Sequence, residues 1–312
     1  MPDALTKTKA TEVPDAAAVA EPRPDKARSL WSDAWRDLRR NPYFLVSAVL
    51  IVLLLTITAF PGWFTSVGPR EFDLKNHYLT EPEWGHFFQP DWFGYDKQGQ
   101  SIYSRVIYGT RASVLVGVSV TAIVVLFGGI VGLVAGYFGG WVDSVLSRLI
   151  DIFFGIPFLL GTMVIMQSVT DRKWWMVSLA LAFLGWTQVA RVMRGSVITV
   201  KQSDYVQAAK ALGASTWRIM LKHVLPNAVA PVIVVATIAL GTYITAEATL
   251  SYLGLGLSAP SVSWGGDISV GADNLRNAPH TLMIPSAMLS ICVLAFIMLG
   301  EAVRNALDPK LR

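Results

Sequence analysis

The sequence predicts an all-α polytopic membrane protein with six transmembrane helices, and three observations carry that expectation. Only 15% of the 312 residues are charged while 53% are hydrophobic, against about 25% charged in a soluble domain. Six apolar runs, residues 43–60, 113–135, 150–169, 174–192, 228–250 and 283–300, each come close to the ~20 residues that cross a bilayer as helix. The basic residues crowd beside alternate runs, which orients the chain in a membrane by the positive-inside rule. That placement accounts for the net charge of +4 better than binding to nucleic acid does.

Residues 1–28 are rich in Ala, Pro and charge and have no signal-like apolar run, so they read as a disordered cytoplasmic tail. In residues 29–42, Trp31, Trp35 and Leu38 share one helical face while Arg36, Arg39 and Arg40 take the other. The segment reads as an amphipathic helix lying on the inner membrane surface. The first span, 43–60, is stopped by Pro61-Gly62. Residues 61–112 follow as an extracytoplasmic loop in which Glu71, Asp73, Glu81, Glu83, Asp91 and Asp96 outnumber five bases.

The remaining five spans fall within a core domain, 113–312. The second carries Gly128, Gly132, Gly136 and Gly140, a glycine every fourth residue, and so a smooth stripe for close helix packing. Residues 140–143 read as a short cytoplasmic turn, and Pro157 as a kink within the third span. The fifth contains Glu247, an intramembrane acid of the kind that marks function. It is expected within a turn of the outer helix end, reachable by water, with Thr242, Thr245 and Thr249 offering hydrogen bonds. Two roles stand open for Glu247, Thr245 and Thr249: the translocation pathway, or contact with a partner subunit.

With the amino terminus inside, six crossings return Arg304, Lys310 and Arg312 to the cytoplasm, while the outer segment 251–282 holds Arg276 as its one base. Cys292 sits in an apolar run and reads as a small core residue. His77, His86, His223 and His280 are scattered without metal-ligand spacing, so no catalytic or metal site is expected. No G-x-x-x-x-G-K-[ST] phosphate loop occurs, so the chain should not bind ATP itself.

Between the fourth and fifth spans lies a polar segment, 195–227, carrying Lys201, Lys210, Arg218 and Lys222. Gln207-Ala208-Ala209, then Gly213, then His223 and Leu225-Pro226 predict an Ala-rich helix, a sharp bend, and a proline starting a new helix. A DNA-reading helix-turn-helix is the other reading of such a pattern, but one lodged between two spans could hardly reach a groove. The segment is placed to meet a soluble partner.

This pattern resembles the Glu-Ala-Ala coupling loop of ABC importer permeases, with Gln207 standing where the family usually has Glu. The likeness extends over residues 92–100, 104–113, 136–143, 246–256, 263–265 and 304–309, in the order of a C-type permease from the dipeptide/oligopeptide/nickel branch. It implies the type I ABC importer fold and a heterodimer with a homologous permease. It also implies two ATPase subunits holding ATP and Mg, an extracytoplasmic substrate-binding protein, and multi-pass residence in a bacterial plasma membrane. The subunit itself would be no enzyme. Nickel or another small solute in place of peptide remains an alternative within the family. A secondary transporter is the alternative of another class, against which stand the lack of an inverted repeat and the single buried acid.

Overall fold

A computed structural model describes residues 35–307 of the chain. The tail 1–28, the first part of the amphipathic segment, Lys310 and Arg312 lie outside the described residues. Residues 35–38 are helical, and the Arg39 guanidinium stacks 4.7 Å over Trp35. Helix α1, Pro42–Ala59, starts where the Asn41 side chain accepts from the Tyr43 N–H, with proline at its first position. It buries only Ser47, Ile51, Leu54 and Ile57, a narrow stripe against the rest of the bundle.

The next helix, α2, runs from Ile102 to Phe138 and so takes in residues expected to lie in the loop. Ser101 starts it early by accepting from the Ser104 N–H. At 37 residues it is about 55 Å long, well beyond the ~30 Å hydrocarbon layer, so one end must project. The rest of the loop, 61–101, folds back on that projecting end. Tyr103 donates to the Phe64 carbonyl at 2.7 Å and Ser104 to that of Val67 at 2.6 Å.

The expected turn at 140–143 is instead the first turn of α3, Gly140–Phe154, and the chain reverses at Gly139, φ 67°. The expected third span is not one kinked helix. It breaks into α3 and α4, Phe158–Gln167, which meet at 77°. Pro157 has no N–H to continue the ladder and pushes Ile156 away from helical geometry, and Gly155 adds freedom just before them. Among the described residues, five helices are long and apolar enough to cross a membrane, and the bent pair makes a sixth crossing if counted as one.

Helix α5, Trp174–Lys201, makes its largest packing surface with α2. A methyl group added at Gly128, Gly132 or Gly136 would collide with the carbonyl oxygens of Trp186, Ala190 and Arg194, one turn apart on α5. The two backbones touch because those three residues have no side chain. Gly140 does not belong to this seam: its Cβ position is open, and its φ of 54° serves the reversal.

Helices α6, Asp204–Ala211, and α7, Thr216–Ile219, lead through a π-helical turn, Met220–Val224, into α8, Leu225–Tyr252. The short α9, Trp264–Ala272, and α10, His280–Leu307, complete the bundle. One apolar core centres on α2, α5 and α8 and a second on α1, α8 and α10, where Cys292 is fully buried. Trp264 is buried against Gly109, its Nε1 donating to the Val106 carbonyl at 3.0 Å.

Candidate functional site

The loop between α5 and α8 is built from its ends inward. Helix α5 closes at Lys201, whose ammonium donates to the Tyr137 carbonyl at the end of α2. The Gln207 side-chain amide donates to the Lys201 carbonyl at 3.0 Å and satisfies one of the open acceptors at that helix end. A carboxylate at 207 could not donate there, so Gln is matched to this bond. Helix α6 ends in a Schellman turn: Ala214 N–H reaches the Ala209 carbonyl and Gly213 N–H that of Lys210. Gly213 sits at φ 77° with open space around its Cβ position. Its role is conformational; side-chain bulk has nothing to strike.

The second helix of the loop begins at Thr216, well before Pro226, which corrects the expectation that proline starts it. Pro226 sits in a continuous helical run, and the wide π turn at 220–224 directly before it accommodates the missing donor. His223 is half-buried and its carbonyl accepts from Asn227 Nδ2 at 2.8 Å. Leu225 is half-buried, Ala209 likewise, and Ala208 is exposed.

Val206, Ile219, Met220 and Val224 bury into the main core and clasp the loop to the bundle. Its other side is apolar but uncovered: Leu212 is 88% exposed, Trp217 64%, and Tyr205 and Leu221 about half. These residues were not singled out from sequence. The available signal was large apolar side chains in an otherwise polar, basic segment. Such a cluster on a rigid, bent loop is suited to docking.

Bidentate pairing of Arg194 with Asp143 and a 2.9 Å contact of Arg191 with Asp151 tie α5 to α3 near this end of the bundle. Arg191 also stacks 3.8 Å over Phe154.

Glu247 is placed differently from the sequence expectation. It is 0% exposed, so water does not reach it. Its carboxyl accepts from Ser113 on α2 at 2.8 Å and from Ser251 one turn along α8 at 2.7 Å. Thr245 and Thr249 take no part. Each donates to the carbonyl one turn back, that of Gly241 and of Thr245, and both lie on another face of α8. The expected group of three is therefore not brought together. The serines of α2 and α8 form the true setting, and their alignment across two helices was invisible in sequence.

At the opposite end, Arg105 on α2 grips Asp267 on α9 through Nε (3.0 Å) and Nη2, and also holds Gln100. Burial pushes the Asp267 carboxyl above the usual range, with Arg105 opposing that push. In the outer loop, His86 Nδ1 meets Asp91 at 2.6 Å, and that hydrogen bond raises the imidazole above its ordinary value.

Packed spans, a close glycine seam and a loop with an exposed apolar tip define a multi-span membrane protein rather than an isolated helical anchor. The chain matches the family model described as binding-protein-dependent transport system inner membrane component over residues 128–312, and it belongs to that family. Residues 29–82 also match the N-terminal TM domain of oligopeptide transport permease C. It is 36% identical to the oligopeptide transport system permease protein OppC of Bacillus subtilis (strain 168), over 95% of each chain. It is 35% identical to the dipeptide transport system permease protein DppC of Alkalihalophilus pseudofirmus, over 92% of each. Identity to the glutathione transport system permease protein GsiD of Pectobacterium atrosepticum is 34%, over 93% of this chain and 94% of that one.

Proposed function

We propose that this chain is one of two permease subunits in an ATP-driven peptide importer. The observation that carries the reading is the clasped loop 204–224 with Leu212, Trp217 and Leu221 uncovered at its tip. In this reading Gln207, Ala208, Ala209, Gly213, His223, Leu225 and Pro226 shape a docking surface for an ATPase subunit. ATP and Mg bind in two such subunits, and their closure moves the loop. Because the loop continues through the π turn into α8, a displacement at its tip is passed along one helix into the bundle. Nucleotide shifts the permease between states only because the docked ATPases prefer one of them.

The same reading places both termini and the loop in the cytoplasm and the 61–101 segment outside, facing a substrate-binding protein. Peptide is favoured over nickel because the relatives named above carry oligopeptide, dipeptide and glutathione in their names. The test is purification of the tagged chain from its native membrane in mild detergent. A second permease and ATPase subunits are expected to come with it, and a Leu212→Asp, Trp217→Asp variant should lose the ATPases while keeping the permease partner. A folded chain that purifies alone would overturn the reading.

A further inference from the structure

Three helices meet at one depth around the break in the third crossing. At about 1.5 Å per residue, Gly185 on α5, Tyr243 on α8 and Phe158 on α4 each lie roughly 15 Å from the helix ends at Trp174, Tyr252 and Gln167. That is about half of a ~30 Å hydrocarbon layer. A cavity of about 340 Å³ opens there, lined by Phe153, Phe158, Thr187, Gln188 and Thr242 among others, and none of its lining residues is charged. The volume falls within the range of sites for small ligands, about 300–1,000 Å³.

The Tyr243 hydroxyl donates to the Gly185 carbonyl at 3.2 Å, but the other polar side chains of the lining are unspent. Thr162, Thr237, Thr245 and Thr249 donate to the carbonyl one turn back in their helices. Thr187 and Thr242 do not, and Gln188 makes no side-chain hydrogen bond either among the described residues. Thr187 is only 4% exposed, so its hydroxyl has the cavity as its one outlet. At the break, the carbonyls of Phe154, Gly155 and Ile156 accept nothing among the described residues, and the first amides of α4 find no acceptor among them either. Irregular backbone at membrane depth persists only against protein or a watered path, never against lipid chains. The break therefore needs protein or water beside it, and the cavity has the room and the polar lining to hold water.

Donors and acceptors line an uncharged, aromatic-walled space. We infer that this cavity is a waypoint for peptide in transit, bound through its backbone amides by Thr187, Gln188, Thr242 and the open backbone at 154–158. The inference rests on the importer reading and adds the place and manner of substrate contact. With no charge in the lining, the site takes peptides without regard to the charge of their side chains. It grips weakly enough to release them, because each contact exchanges only one water hydrogen bond for another.

The test uses the complete transporter, reconstituted in vesicles with its ATPases and binding protein, and a peptide bearing a benzophenone side chain. Light during ATP turnover should place adducts on this chain at 153–158, 187–188 or 242–243. Adducts confined to the partner permease or to lipid would overturn the site. Gln188→Leu with Thr242→Val should lower uptake about tenfold while ATP hydrolysis stimulated by the binding protein stays near wild type. Gln188→Asn with Thr242→Ser should keep uptake. Equal uptake by the apolar and polar pairs would also remove the claim. Wild-type uptake measured first separates the two levels. No uptake of any peptide removes the importer reading itself, whereas normal uptake without adducts in the cavity removes the waypoint alone.

Discussion

Replacing Gly213 tests how the loop is held. The residue stands at φ 77°, and nothing lies within 4 Å of where a Cβ would sit. Sterics with neighbours therefore cost nothing, and the whole penalty is the backbone's. An L-residue in this region costs roughly 1–2 kcal/mol, and Asn pays least among the non-glycine residues. Gly213→Val should thus destabilise the turn by about 1–2 kcal/mol, which is about 5–30-fold in its opening equilibrium. Gly213→Asn, of similar bulk, should cost well under that. The assay is amide hydrogen exchange in the assembled transporter, read at residues 212 and 214, whose N–H groups reach the Ala208 and Ala209 carbonyls. Exchange there should rise in the order Gly, Asn, Val, and the ratio of uptake to ATP hydrolyzed should fall in the same order. Asn and Val behaving alike would refute the conformational account and return the argument to bulk.

Gly132→Ala puts a methyl group against the Ala190 carbonyl and should cost about 1–3 kcal/mol, seen as a lower thermal midpoint in detergent. Gly129→Ala, which meets nothing within 4 Å, is the control, and equal midpoints would deny the seam. Glu247→Ala strands the Ser113 and Ser251 hydroxyls and empties a packed volume, so it should cost about 2–4 kcal/mol. Glu247→Gln should cost under about 1 kcal/mol, since both serine hydroxyls can turn to match an amide; a Gln variant as unstable as Ala would show the hydrogen bonds to be incidental. His86 is raised by its bond to Asp91, so its contribution to the outer loop is fully present below about pH 6.5 and fades as pH rises through the elevated value. The imidazole should titrate above 6.5 by NMR and fall back in Asp91→Asn; no change on that substitution would dismiss the pairing.

Much of the site was legible because its signals are local. The bend at Gly213 follows from one residue's freedom, and the seam at Gly128, Gly132 and Gly136 from a four-residue period. Other features needed contacts far apart in the chain. Glu247 looked like a helix-end acid because its serines lie on another helix and one turn ahead. Pro226 looked like a helix start because a π turn cannot be read from composition. The break at 155–157 passed for a kink, since Pro alone does not say whether a helix bends or stops.

The sequence by itself determined that this is a multi-span membrane protein with a polar loop between two of its spans. Hydropathy and charge act residue by residue, so bilayer crossings and their spacing are written along the chain. Only the tertiary structure decided which face of each helix meets another. Whether a polar group is satisfied depends on what stands opposite it. Packing therefore sealed Glu247 away from water and left Thr187, Gln188 and Thr242 open to a cavity.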